Sequence, residues 1–396
     1  MKVLLLSETL TSGGAETFVI RLGNALAARH RVTLAIMHGH RVEPALLAQV
    51  SPAVGIERLR LPAERWLWRA DGLLRRAGFD TSVLRRLQRR WFQRLLQRER
   101  PDIVHSHLFK ADRLAAEVLR SLPFPPRHVI TTHGDYQPFL EGLADSRMLH
   151  PATRMRQALG SADAIAAVCR QHLQHLGTTF PKVRRKLHLV YNGYAAAAER
   201  RPVPLPTGKF LFGMVSRGVE GKGWRVAVEA FHALGRPDAA LVLVGEGPAI
   251  DRLRREAPPG VIFAGFSPTP LDWIERFDVA LLPTLFPHES LPTAVIEYLA
   301  CGKPVIATDV GEIGAMLRAP DGRLAGRLLP FANGGVRTED LTRAMAELMD
   351  GLSLRREMRQ AARQAFARFD MERCLRIYEA LYRGERPTIS STSAIH

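Results

Sequence analysis

Short apolar runs alternate with stretches of helical period along most of this chain. In the first half, KVLLLS, RVTLAIM, DIVHSH, HVITTH, AIAAVC and LHLVYNG have the length and β-rich composition of buried strands, and Glu16–Ala28 and Asp112–Leu122 carry helical spacing between them. A stretch without apolar period, AAAAERRPVPLPTGK from Ala195 to Lys209, then interrupts the pattern with three prolines. A second series follows: KFLFGMVS, ALVLVGEG, VIFAGF, VALLPT and KPVIATDV, with helices predicted over Trp224–Leu234, Pro248–Glu256 and Leu291–Cys301. Asp340–Asp350, Leu354–Phe366 and Met371–Tyr382 predict closing helices, and PTISSTSAIH a disordered tail. Strands alternating with helices imply parallel α/β layers. The expected fold class is α/β, with two Rossmann-like parallel-sheet domains facing a central cleft. Residues 1–195 form the first, 196–209 the linker and 210–368 the second, with 369–386 returning to the first and 387–396 as the tail. A length of 396 residues agrees with two domains rather than one.

One segment departs from the alternation. Between Arg65 and Arg98 the pattern LLRRAGF…LRRLQRRWFQRLLQR places Leu84, Leu87, Trp91 and Leu95 on one helical face with arginines on the others. Charge concentrates in the same place: of a net +17, thirteen arginines against five acids lie between Ile56 and Arg100, with three of the five tryptophans. A basic amphipathic stretch of this kind either lies on an anionic membrane surface or packs its leucines on the domain. The net charge by itself also fits other polyanions, nucleic acid included. No apolar run reaches the roughly 20 residues of a membrane span. MKVLLLSETL is a strand pattern rather than a signal-peptide core, so a cytoplasmic protein is expected. Cys169, Cys301 and Cys374 are odd in number and far apart, without disulfide or metal spacing.

The chemistry concentrates in HESLPTAVIEYLACGKPVIATDVG, residues 288–311. Ser290 suits a helix N-cap and Pro292 the first turn, so the N–H groups from Leu291 through Thr293 to Ala294 are expected to be free for an anion. Glu289 stands just before that helix and Glu297 on its body. One carboxylate can accept from sugar hydroxyls and the other can bind a vicinal diol, although acids near a helix start also have a purely structural use. In VSRGVEGKGW, Arg217 and Lys222 follow a strand in a glycine-rich loop, where amides and cations can converge on phosphate. GGAE brings Gly13 and Gly14 to a helix start, and GEGP brings Gly245 and Gly247 to a tight turn after a strand. His133, at the end of HVITTH, occupies a strand end where open α/β sheets bind ligands. His105 and His107 in DIVHSH lie in a similar place. A P-loop, a Gly-x-Ser-x-Gly elbow, a Gly-x-Gly-x-x-Gly fingerprint, a His-Glu-x-x-His helix and an Asp-x-Asp pair are all missing from the sequence. No metal is expected, and any leaving diphosphate would have to be neutralised by Arg217, Lys222 and the helix start.

The ordered set resembles the retaining glycosyltransferases of the GT-B fold, family 4. It comprises GGAE near the start, His133, Asn192-Gly193 before the linker, Arg217-x4-Lys222-Gly223, Gly245-x-Gly247-Pro, and Glu289-x7-Glu297. FDMERCLRIYEALY resembles the helix with which that family returns to its first domain. The resemblance implies that Glu289 contacts the donor sugar, Glu297 the ribose, Arg217 and Lys222 the diphosphate, and His133 the transferred sugar. Gly14 would approach the phosphates or the acceptor. Gly13, Asn192, Gly245, Gly247, Phe266, Ser290, Leu291, Pro292 and Thr293 are counted with them as substrate contacts.

It further implies a metal-independent hexosyl transfer with retention. The donor would be a UDP- or GDP-linked sugar serving as substrate, with no cofactor. The acceptor would be a cell-envelope polysaccharide or lipid-linked glycan, reached from the inner face of the plasma membrane through residues 65–98, and no nucleic acid would be involved. Two departures stand out: Gly218 replaces the usual apolar residue, and GEIGAML, with Glu312, Gly314 and Ala315, replaces the common Gly-Gly-x-Pro-Glu. A nucleotide-sugar epimerase or hydrolase on the same fold is the alternative enzyme, and a non-catalytic polyanion binder the alternative outside catalysis.

Overall fold

The structure, a computed structural model, describes residues 1–11, 13–61, 64–77, 82–134, 151–195, 199–287 and 289–387. Linker residues 196–198, the tail from 388, the end of TTHGDY and His288 lie outside the described residues. The chain divides into two compact units. Unit 1 comprises Met1–Gly193 with the C-terminal helix, and unit 2 comprises Tyr194–Asp370.

Unit 1 contains β1 (Lys2–Ser7), α1 (Gly14–Leu26), β2 (Arg31–Ile36), α2 (Pro44–Leu47), β3 (Val54–Arg58), α3 (Glu64–Arg76), α4 (Val83–Glu99), β4 (Ile103–His107), α5 (Phe109–Leu119), β5 (Arg127–Thr132), α6 (Pro151–Ser161), β6 (Ala164–Ala167), α7 (Arg170–Thr179) and β7 (Leu187–Leu189). Its parallel sheet has the order β3-β2-β1-β4-β5-β6-β7. The order reverses between β1 and β4, where Ser7 pairs with His107. Ligand crevices in open parallel sheets lie beyond the strand ends at such a reversal.

Unit 2 contains β8 (Phe210–Val215), α8 (Trp224–Leu234), β9 (Ala239–Val244), α9 (Pro248–Glu256), β10 (Val261–Gly265), α10 (Pro270–Ile274), β11 (Val279–Leu282), α11 (Thr293–Ala300), β12 (Val305–Thr308), α12 (Ile313–Leu317), β13 (Gly326–Leu329), α13 (Thr338–Asp350) and α14 (Leu352–Phe366). Its sheet, also parallel, runs β10-β9-β8-β11-β12-β13, with the reversal between β8 and β11. The inner strands AALVLV and VALL are buried at every position, as expected for strands covered on both faces.

The last helix, α15 (Met371–Arg383), packs in unit 1. Met371, Cys374, Leu375, Tyr378, Leu381 and Tyr382 recur at helical spacing and enter one core with Leu5, Phe18 and Leu22. Each such side chain contributes about 1.5–3 kcal/mol on burial, enough to hold a terminal helix that has few local partners.

On α4 the basic segment takes the packing alternative of the two that the sequence offered. Residues 65–98 fall into two helices, α3 and α4, rather than one face. Ser82 caps α4 by accepting from Arg85 N at 3.0 Å, and its hydroxyl donates to the Asp71 carboxylate of α3. Leu84 and Leu95 of the expected membrane face are buried. Leu95, Leu96 and Phe92 share a core with Leu4, Leu6, Met37 and Val104, and Trp91 packs on its edge. The stripe on α4 therefore serves the fold, because its leucines cover the outer face of β1 and β4. On α3, by contrast, Trp66 is 72% exposed and Leu73 65% exposed, with the Arg69 guanidinium 5.5 Å from the Trp66 ring centre.

Candidate active site

In unit 2 the two loops that leave the sheet at its reversal dovetail. After β8 the chain runs through Ser216, Arg217 and Gly218 into a single 3-10 turn, Glu220–Lys222. Gly223 follows with φ +78°, and a Cβ there would stand 1.8 Å from the Pro283 carbonyl oxygen, so only glycine fits. Pro283 belongs to the loop after β11. Leu285 N of that loop donates to the Gly221 carbonyl at 2.8 Å, and Thr284 Oγ1 lies 3.2 Å from the same oxygen. The contact delivers Lys222 Nζ to Glu289 Oε1 as an ion pair, both side chains mostly buried. Thr284 Oγ1 donates to the same carboxylate oxygen at 2.8 Å, and the Phe286 ring centre lies 5.1 Å from Nζ. Arg217 is exposed beside this pair in sequence, and its carbonyl accepts from Trp224 Nε1 at 2.8 Å, which fixes the loop's backbone.

The backbone of Glu289 is held from the other side. Gly311 has φ +56°, and a Cβ there would lie 1.7 Å from the Glu289 carbonyl oxygen. Glu312 N donates to that oxygen at 3.2 Å. The GEIGAML sequence thus forms a seat for Glu289. Arg368 reinforces it by donating to the Ala315 carbonyl at 2.7 Å.

These contacts also correct the expected helix start. The helix begins at Thr293, with Pro292 in the N-cap place and no side-chain cap, so Ser290 is not the cap and Pro292 is not in the first turn. Leu291 is buried, Ser290 and Pro292 are half-buried, and Val295 N donates to the Pro292 carbonyl at 3.0 Å. Residues 289–292 have no regular structure, with Pro292 extended, and the helix is shorter than expected. Glu297 sits on it, buried, next to Tyr298. The Tyr298 hydroxyl accepts from Val215 N at 2.8 Å and donates to the Leu281 carbonyl at 3.1 Å, tying α11 to the ends of β8 and β11. Burial pushes that phenol up.

Gly245 and Gly247 flank the turn after β9. Gly245 N donates to the Gly265 carbonyl at 2.8 Å, and Gly218 N to the Glu246 carbonyl at 2.7 Å. The unusual Gly218 has a steric reason, since a Cβ there would meet Glu246 C at 2.6 Å. Phe266, directly after β10, is 61% exposed.

In unit 1, His133 follows β5 and its Nε2 lies 3.0 Å from His107 Nδ1 at the end of β4. The rings of His105, His107 and His133 form a column with centroid spacings of 4.1 and 5.3 Å, covered by Phe18 at 5.6 Å from His133. Burial, with His172 nearby, lowers His133 to about 3. Burial, then His105 and His133, takes His107 well below the ordinary imidazole range. The column is therefore neutral at physiological pH and can donate or accept hydrogen bonds without charge. Beneath it, His105 bonds Tyr382 Oη at 2.8 Å and Thr131 Oγ1 at 2.7 Å, and Thr131 bonds Tyr378 Oη at 2.9 Å.

Gly13 is the N-cap of α1 without a side-chain cap, and Gly14 opens the helix. The missing Cβ of Gly13 makes room for a protein group, because Glu16 Oε2 would stand 2.5 Å from it. Glu16 in turn accepts from Thr9 Oγ1 at 2.8 Å. Asn192 precedes the exit from unit 1, and its Oδ1 is buried without a hydrogen-bond partner among the described residues. Thr284, Tyr298, Glu16 and the Tyr378–Thr131 pair behind His105 escaped the sequence reading. Only Glu16 had a local signal there, as the fourth letter of GGAE.

Two parallel-sheet Rossmann-like units, with cations and carboxylates beyond the strand ends of the second, define the GT-B class of sugar-transferring enzymes. Comparison with known proteins makes this specific. Residues 12–197 match the model described as Glycosyltransferase Family 4, and residues 209–350 the model described as Glycosyl transferases group 1. The chain belongs to that family and is a glycosyltransferase. It is 29% identical over 230 residues to a Bacillus subtilis protein named provisionally as a teichuronic acid biosynthesis glycosyltransferase, a match spanning 54% of this chain and 55% of that one. It is 28% identical over 333 residues to the GDP-mannose-dependent alpha-(1-6)-phosphatidylinositol dimannoside mannosyltransferase of Mycobacterium tuberculosis, covering 79% of this chain and 80% of that one. The solved sucrose-phosphate synthase of Thermosynechococcus elongatus superposes with a TM-score of 0.74 at 18% identity, over 97% of this chain and 98% of that one, which establishes the shared fold.

Proposed function

We propose that this glycosyltransferase moves a hexose-type sugar from a UDP- or GDP-linked donor to a cell-envelope glycan or lipid-linked acceptor. The anomeric configuration is retained, and no metal bridges the diphosphate. The observation that carries this reading is the Lys222–Glu289 pair at the sheet reversal of unit 2. Arg217 and Lys222 neutralise the diphosphate as it departs, the task a metal has in other transferases. Glu289 accepts from hydroxyls of the donor sugar and Glu297 from the ribose diol. Gly245, Gly247 and Phe266 bound the nucleoside end, and Ser290 to Thr293 approach the phosphates. In unit 1, neutral His133 hydrogen-bonds the transferred sugar, and Gly13, Gly14 and Asn192 border the acceptor.

In the reaction the bond from the anomeric carbon to the phosphate oxygen breaks, and the acceptor oxygen bonds that carbon on the same face. The acceptor proton passes to the departing phosphate, and a nucleoside diphosphate leaves. The names of the curated relatives, one a GDP-mannose-dependent phosphatidylinositol dimannoside mannosyltransferase and one a glycosyltransferase of teichuronic acid biosynthesis, support such substrates. Among the described residues no helix is long and apolar enough to cross a membrane. The exposed Trp66, Leu73 and Leu74 of basic α3 support docking on the anionic inner face of the plasma membrane, from the cytoplasm. Nucleic acid has no part in this reading.

The test is a transfer assay with a panel of UDP- and GDP-hexoses against lipid-linked and glycan acceptors, with the product linkage read by NMR. One donor should be turned over with retention, and Glu289→Gln should abolish the turnover. Free or epimerised sugar formed from donor alone would replace this reading with a hydrolase or epimerase.

A further inference from the structure

We propose that His38, His40 and Glu64 of unit 1 form a binding site for a divalent first-row metal ion of the zinc class, which pins the start of α3 to the turn after β2. The three residues are the one group among the described residues whose His, Cys, Asp or Glu ligand atoms all lie within 4.8 Å of one another. They come from two segments that the sequence keeps apart. β2 ends at Ile36, and the chain turns through His38-Gly39-His40. His38 N donates to the Glu8 carbonyl at 3.1 Å and Arg41 N to the His38 carbonyl at 2.9 Å, which closes the turn. A Cβ on Gly39 would meet the Leu59 carbonyl oxygen at 2.0 Å, so the turn is pressed against the chain leaving β3.

Both flanking imidazoles face the first residue of α3. His38 Nδ1 lies 3.1 Å from Glu64 Oε1, and His40 Nδ1 lies 3.0 Å from Glu64 Oε2. The Glu64 side chain is 2% exposed.

A lone structural hydrogen bond would need one histidine. Here two nitrogens of the same kind converge on the two oxygens of one buried carboxylate. His40 Nδ1 approaches Glu64 Oε2 at 3.0 Å yet makes no hydrogen bond of normal geometry among the described residues. Two imidazoles and one carboxylate are a donor set that zinc takes, with a fourth position left for water. Donors of a tetrahedral zinc stand about 3.3 Å apart for bonds of about 2.0–2.1 Å. The two nitrogen–oxygen separations of 3.0 and 3.1 Å are close to that spacing, and the ligand atoms of all three residues lie within 4.8 Å of one another. None of the three belongs to the residues assigned above to donor or acceptor. The ion's effect is to hold α3, with its exposed Trp66 and Leu73, in a fixed place on unit 1.

The experiment uses the full chain stripped of metal by chelator and dialysed. Zinc is titrated with dialysis and elemental analysis, and cobalt(II) with absorption spectroscopy. One ion per chain is expected, with the visible d–d bands of a four- or five-coordinate cobalt site and a zinc-dependent rise in Tm. His40→Ala, the most accessible ligand, should weaken binding at least about ten-fold, roughly 1.4 kcal/mol, with circular dichroism unchanged. Glu64→Gln should act in the same direction. Absence of stoichiometric zinc and of cobalt bands in the wild-type chain overturns the proposal. So does binding whose affinity is the same in His40→Ala and Glu64→Gln as in wild type.

Discussion

Lys222 and Glu289, 67 positions apart in the chain, form a mostly buried ion pair whose carboxylate also accepts from Thr284 Oγ1 at 2.8 Å. Each group is held by the other before a donor arrives. Lys222→Ala should lower kcat/KM by on the order of 10²–10³, the range seen when one donor to a developing negative charge is lost. Lys222→Arg should recover little, because a planar guanidinium does not replace a compact ammonium beside Phe286. Steady-state kinetics on the donor identified by the panel assay would settle both. A Lys222→Ala enzyme with wild-type kcat/KM would remove the cation from the mechanism.

The seat beneath Glu289 gives a second expectation. Gly311→Ala places a methyl group 1.7 Å from the Glu289 carbonyl oxygen at a φ of +56°. The loop must shift, and Glu289 with it. Stability should fall by more than about 1 kcal/mol, and activity should fall further than stability explains. Gly322→Ala also has a positive φ, of +89°, but nothing within 4 Å of the added Cβ, so it separates backbone strain from displacement of Glu289. Tm and transfer rate measured on both variants make the comparison, and equal losses of activity would count against a seat for Glu289.

The two halves of the basic segment should respond differently to truncation. Phe92→Ala, at a fully buried site on α4, should cost about 3–5 kcal/mol in urea unfolding. Trp66→Ala, at a 72% exposed site on α3, should change stability by no more than about 0.5 kcal/mol. If α3 docks on membranes, Trp66→Ala and Leu73→Ala should reduce co-sedimentation with anionic vesicles while leaving the fold intact. Undiminished vesicle binding would detach that function from α3.

The buried histidines predict a pH dependence of stability with a definite sign. His128 is lowered by burial to about 4 and His133 to about 3, while the unfolded chain titrates near the usual imidazole value of about 6.5. Between those values the unfolded chain binds more protons, so stability rises with pH across that window and is fully present above about 6.5. Each of the two contributes on the order of 2 kcal/mol between pH 5 and pH 7. Urea midpoints measured at both pH values should be lower at pH 5, and the difference should shrink in His128→Asn. A midpoint that does not move with pH would mean that these imidazoles are not held neutral by the fold.

Much of this molecule is written in local sequence. The central strands were legible because parallel strands covered on both faces must be continuous apolar runs, and KVLLLS matches β1 residue for residue. Trp224–Leu234 and Pro248–Glu256 were legible because a left-handed Gly223 and a proline at the first turn mark their starts. The edge strands β3, VGIER, and β13, GRLL, were not read. These two edge strands are interrupted by charge and glycine, so their pattern is weak, whereas the edge strands β7 and β10 lie in apolar runs that were read.

By itself the sequence determined the family's residue set and the α/β alternation, since both depend on spacing along the chain. Tertiary structure decided which residues meet. The sheet order put the loops after β8 and β11 side by side, and so joined Lys222 to Glu289. Contacts from Gly311 and Glu312 seated Glu289, and the helix after it starts at Thr293 rather than Leu291. The core beneath α4 claimed its leucine stripe. The turn at Gly39 brought His38 and His40 to Glu64. Periodicity is a property of neighbours, whereas these meetings depend on how separate segments stack on a sheet, which no local pattern encodes.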